Sequence, residues 1–162
     1  MMTSTRIRWG IVAILLVATL SFGNLVASQV EGWAGHALSH LAVGVPAAVI
    51  AVIAVRLGGR QTTGLGGAGK AAWLVLIAGL VLLAITQVVE AIAAFVEYPD
   101  NGIIHDSASQ ASALSGVVLV VGIVLLAFAA LRARMLPRWG LPVIIVAAAF
   151  FLFAAMGGLS LP

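Results

Sequence analysis

The stretch AAWLVLIAGLVLLAITQVVEAIAAFV, residues 71–96, decides the fold. Its single ionisable residue is Glu90, and no proline breaks it. A helix needs about 20 mostly apolar residues to cross the hydrocarbon core of a bilayer, so this run is long enough to span one. Four more runs of similar character lie on either side, at residues 9–28, 35–55, 109–131 and 141–161, separated by charged, glycine-rich or proline-containing segments. The composition agrees. Of the 162 residues 63% are hydrophobic and 8% charged, with a mean hydropathy of +1.22. A soluble domain carries about 25% charged residues, so too few are present here to cover a water-facing surface. The expected fold is an all-α membrane protein: a bundle of five transmembrane helices forming one polytopic domain over residues 1–162.

The first run also has the features of a cleavable signal peptide, with Arg6 and Arg8 before an apolar stretch from Ile11 to Leu20 and Val26-Ala27-Ser28 after it. Its removal would leave four spans. The apolar stretch continues through Phe22, Leu25 and Val26, past the usual length of a signal core, which favours a retained helix.

The charges between the runs orient the chain. All eight basic residues fall on one side: Arg6 and Arg8 before the first run, Arg56, Arg60 and Lys70 between the second and third, and Arg132, Arg134 and Arg138 between the fourth and fifth. The five acids, Glu31, Glu90, Glu97, Asp100 and Asp106, lie in or near the two opposite loops. Short loops retained in the cytoplasm are rich in Lys and Arg, so the amino terminus is expected inside and the carboxyl terminus outside. Interfacial aromatics fit this arrangement, with Trp9, Trp73 and Trp139 at the inner boundary and Trp33 and Tyr98 at the outer one. Arginine is used almost to the exclusion of lysine, alongside abundant Ala, Gly and Val, a bias of GC-rich genomes that points to a bacterial plasma (inner) membrane. The sequence pI near 10.7 reflects these loop charges and does not imply nucleic acid as a partner. The expected partners are the lipid bilayer and other membrane subunits.

Local signals complete the outline. Gly23/Ala27, Gly44/Ala48 and Ser112/Gly116 are small-residue pairs of the kind that let membrane helices approach closely. Pro99-Asp100-Asn101-Gly102 predicts a turn, and Ser107-Ala108-Ser109-Gln110 reads as a capping box opening the fourth helix. Pro46 would kink the second helix below His40, whereas Pro142 suits a first helical turn. Gly64-Leu65-Gly66-Gly67-Ala68-Gly69-Lys70 resembles a phosphate-binding loop in letters only. Such loops follow a strand and end in a hydroxyl for magnesium, but here an apolar helix precedes and Ala71 follows. The segment is expected to be a flexible linker.

The polar residues gather in one half of the spans. Asn24, Ser28, His36, Ser39, His40, Gln87, Glu90, His105, Asp106, Ser112 and Ser115 all belong to the outer half. His36 and His40, four apart, share a helical face, as do Gln87, Glu90 and Glu97. Glu90 and His40 each lie about 8–9 Å below the outer boundary at 1.5 Å per residue, so they can meet at one level, with His105 and Asp106 above them. Ionisable groups inside a membrane are costly and mark functional sites. Two His on one face with a carboxylate from another helix can ligate a metal ion, and His can ligate a b-type haem, making His36, His40, Glu90 and His105 the candidate ligands. The same residues equally suit a packed polar interface.

With no cysteine, thiolate metal sites and disulfides are excluded. No Ser-His-Asp grouping, H-E-x-x-H or G-x-S-x-G motif is present, and no internal repeat divides the spans into halves. Three functional readings remain: a non-enzymatic accessory or ligand-binding component, a metal- or haem-dependent redox protein or enzyme, and a proton-coupled carrier centred on Glu90. The orientation is directly testable. In intact cells an impermeant thiol reagent is expected to label Asp100→Cys and to spare Arg60→Cys and Arg134→Cys; the opposite pattern would invert the topology.

Overall fold

The computed structural model describes residues 32–61, 64–97 and 102–134, together with positions 30 and 145. The run at 9–28 lies outside the described residues, and so does 141–161 apart from position 145. Trp9, Trp139 and the segment from Tyr98 to Asn101 are likewise outside them. Within the described residues the chain is all-helical: α1 spans Gly32–Gln61, α2 Gly66–Glu97 and α3 Ile103–Arg132. All three are long and apolar enough to cross a membrane. Each outruns the apolar stretch that predicts it, because a helix already nucleated by its span propagates cheaply into flanking residues.

That extension changes two expectations. The glycine-rich segment is not a flexible linker: Gly64 and Leu65 form a turn, Gly66 has φ +67°, and residues 67–70 already belong to α2. The expected capping box does not cap α3, for the helix begins at Ile103 and Ser107 is an exposed residue inside it. The N-cap is Gly102, which offers no side chain. Instead the carboxylate of Glu97, the last residue of α2, accepts hydrogen bonds from the amides of Ile104 (3.1 Å) and His105 (2.9 Å). A negative group at a helix amino terminus satisfies free N–H donors and complements the helix dipole. A Cβ at position 102 would meet that carboxylate, so a side chain there would displace the cap.

The helix α2 lies between the other two. No Cα of α1 comes within 8 Å of one in α3 among the described residues. Helix α1 meets α2 through Gly44, Ala47, Ala51, Ala54 and Gly58, a buried stripe with no side chain larger than a methyl group. The expected pair Gly44/Ala48 is therefore only half right, since Gly44 faces Gln87 while Ala48 is exposed. Trp73 fills the space beside Gly58, and its indole N–H donates to the carbonyl of Ala54 at 3.2 Å. It is buried between helices rather than set at a lipid boundary. Pro46 sits within an unbroken α1.

The α2–α3 contact is reciprocal. Gly79 lies against the backbone of Leu119, and Gly122 against the backbone of Leu76. Ala47, Ala51, Leu80, Leu83, Ala84 and Leu119 make up the core. The opposite faces present Val45, Val49, Leu74, Ile85, Phe95 and Leu114, large and exposed, a surface suited to lipid and not to water.

A Cβ at Gly79 or Gly122 would stand 2.6 Å from the neighbouring backbone. Gly79→Val and Gly122→Val are therefore expected to cost about 1–3 kcal/mol each in reversible unfolding from mixed micelles. Gly67→Ala is the control, because its added Cβ meets nothing within 4 Å. Equal stability of all three variants would contradict the close helix contact.

Candidate functional site

Glu90 lies two turns from the end of α2 and is 2% exposed. The helices on either side bring imidazoles to it. From α1 come His36 and His40, stacked one turn apart with ring centroids 4.8 Å apart and edge to face. From the first turn of α3 comes His105, whose Nδ1 is 2.8 Å from Glu90 Oε2. The rings of His36 and His105 approach to 5.5 Å, so side chains join α1 and α3 here although their backbones do not.

Gln87, one turn below Glu90, ties all three helices together. Its Nε2 donates to Ser112 Oγ on α3 at 2.7 Å, and its Oε1 lies 3.0 Å from His40 Nδ1 on α1. A carboxamide held this way offers only an acceptor to His40, so Nδ1–H donates and Nε2 of the neutral ring keeps its lone pair. That Nε2 faces His36 Nε2 at 3.4 Å and Glu90 Oε2 at 4.0 Å. Ser115, buried beside this layer, donates to the carbonyl of Ser112 at 2.6 Å, and Ser39 donates to that of His36 at 2.6 Å.

Glu90 Oε2 is buried, and among the described residues its close polar neighbour is His105 Nδ1 at 2.8 Å, an ion-pair contact without hydrogen-bond alignment, with His40 Nε2 farther off at 4.0 Å. A buried carboxylate held by so few aligned hydrogen bonds is costly.

Of the residues singled out in the sequence, His36, His40, Gln87, Glu90 and His105 thus come together. Asp106 does not: it is exposed in the first turn of α3, with no side-chain hydrogen bond or ion pair to the cluster among the described residues. Glu97 shares the helix of Glu90 but serves as the cap of α3. Sequence reasoning missed that role, although an acid closing one helix just before a short turn into the next was the available signal. The cap also orders the amide of His105 itself, so Glu97 positions the imidazole over Glu90.

Among the described residues no group of three or more His, Asp or Glu side chains is placed to hold a metal ion. The physical reason is that His40 is turned toward Gln87, which leaves its Nε2 4.0 Å from a carboxylate oxygen already approached by His105. No family model, curated protein or solved structure matches this chain.

If His105 and Glu90 interact as their distance implies, Glu90→Gln and His105→Ala are expected to be coupled in a double-mutant cycle by about 1 kcal/mol, above the ~0.6 kcal/mol average for polar pairs between membrane helices. Asp106→Asn, outside the cluster, is expected to change stability by less than about 0.5 kcal/mol. Additive effects at Glu90 and His105 would separate the two residues.

Proposed function

We propose that this chain is a five-span integral membrane protein, amino terminus inside and carboxyl terminus outside, that acts by binding rather than by catalysis. Its site is the His36, His40, Gln87, Glu90 and His105 cluster in the outer half of the bundle, and its setting is a bacterial plasma membrane, alone or as an accessory subunit of a larger assembly. The observation that carries this reading is the buried Glu90 carboxylate, paired with His105 at 2.8 Å and flanked by His36 and His40. A group this costly to bury is retained where something binds it.

The rest of the helices favours a one-sided site over a conduit. Residues 41–55 of α1, 71–85 of α2 and 117–131 of α3 carry no polar side chain except the indole of Trp73. About 22 Å of apolar helix therefore separates the cluster from the basic end at 1.5 Å per residue. A carrier centred on Glu90 needs access from both sides, which these three helices do not provide. The close approach of the two Nε2 atoms of His36 and His40, beside the buried Glu90 carboxylate, keeps a metal- or haem-binding reading as the alternative.

The test is the content of the protein as purified. Small molecules released on denaturation are identified by mass spectrometry, metals by elemental analysis and haem by its Soret band, for the wild type and for Glu90→Gln. A bound species present in the wild type and lost from Glu90→Gln is the expected result. Stoichiometric metal or a Soret band would install the alternative. Identical contents, with the two proteins equally stable, would leave the cluster as packing alone.

A further inference from the structure

The opposite end of the bundle carries charge that the chain itself does not neutralise. Arg56 closes the apolar span of α1 and is exposed. It stands at one end of a groove of about 400 Å³ between α1 and α2. Ala48, Ala51 and Ala84 leave the groove open, Val52, Val55 and Ile85 border it, and Arg56 is the one polar side chain in its lining. From Ala48 to Arg56 the groove follows α1 for about 12 Å at 1.5 Å per residue. A charge at one end and an apolar channel leading away from it match the shape and chemistry of a phospholipid.

The acids of the described helices do not supply the anion. Glu90, Glu97 and Asp106 stand at the other end of the helices, Glu31 immediately precedes α1, and Asp100 falls between α2 and α3. The three acids in the described helices therefore all belong to the end opposite Arg56. His40, at the level of Glu90, is about 24 Å away from Arg56 along the helix at 1.5 Å per residue. Among the described residues Arg56 forms no ion pair. A guanidinium at the membrane boundary pairs well with phosphate, and basic pockets between membrane helices bind anionic headgroups.

We propose that this groove seats one acyl chain of an anionic phospholipid whose phosphate pairs with Arg56. The site is independent of whatever the His–Glu cluster holds and rests only on the helices crossing a membrane.

Native mass spectrometry of the purified full-length chain, given equal amounts of phosphatidylglycerol and phosphatidylcholine with the same acyl chains, tests it. Phosphatidylglycerol is expected to be retained about fivefold over phosphatidylcholine, the preference one interfacial Arg supplies. Arg56→Gln is expected to bring the ratio to about one and Arg56→Lys to keep most of it. Ala48→Phe, a substitution at an exposed position on the groove, is expected to reduce retention of both lipids, with helix content by circular dichroism unchanged. Equal retention by the wild type overturns the proposal, and so does a preference that survives Arg56→Gln. A third contrary result would come from Val52→Cys, the sole thiol in such a variant: a cross-link to another polypeptide or to another part of this chain, in place of a photoreactive lipid, would show that protein covers the groove.

Discussion

The close approach of α2 to both neighbours underlies everything else in this structure. In lipid no hydrophobic gain draws apolar helices together, so contact depends on packing and on the few polar groups that find partners. Gly44, Ala47, Ala51, Ala54 and Gly58 let α1 settle against α2, and Gly79 and Gly122 let the backbones of α2 and α3 touch. These contacts set the distances at the acidic end. A bulkier seam would part the helices, and the short span from His40 through Gln87 to Ser112 would no longer be bridged by one carboxamide.

Three helices joined in this way have a division of labour along their length. The half toward the basic end is held by dispersion and shape, with the Trp73 indole beside Gly58 hydrogen-bonded across to α1. The other half is held by directional polar contacts, and among the described residues these include a ring contact between His36 of α1 and His105 of α3, whose backbones stay apart. Glu97 connects the turn to the site: by capping α3 it fixes where that helix starts, and so where His105 stands relative to Glu90. The loop and the cluster are in this sense one unit.

The separation of charge along the chain has a double consequence. Basic loops tend to stay in the cytoplasm, which is the basis of the proposed orientation, and Arg56 has no ion-pair partner among the described residues. The same asymmetry keeps Arg56, Lys70 and Arg132 at the far end of the described helices from Glu90, and the described groups around it are imidazoles and a carboxamide.

The sequence by itself determined the class of fold, because apolar runs of that length and that scarcity of charge have one stable arrangement, and it named the polar residues, because a helical period puts His36 over His40 and Gln87 near Glu90. It also placed these groups at one level, since depth is simply rise per residue. What it did not determine was the partner of each group. The orientation of Gln87, the pairing of His105 with Glu90, and the exclusion of Asp106 depend on how the helices are rotated about their axes, which small-residue contacts between different helices decide. The start of α3 was misread for a related reason: Ser107 and Gln110 satisfy a local capping pattern, but the packing of α2 beside α3 brings the Glu97 carboxylate to the free amides of Ile104 and His105. Local sequence states what a residue can bond to. Only the tertiary structure, by bringing distant segments within reach, selects which of those bonds is made.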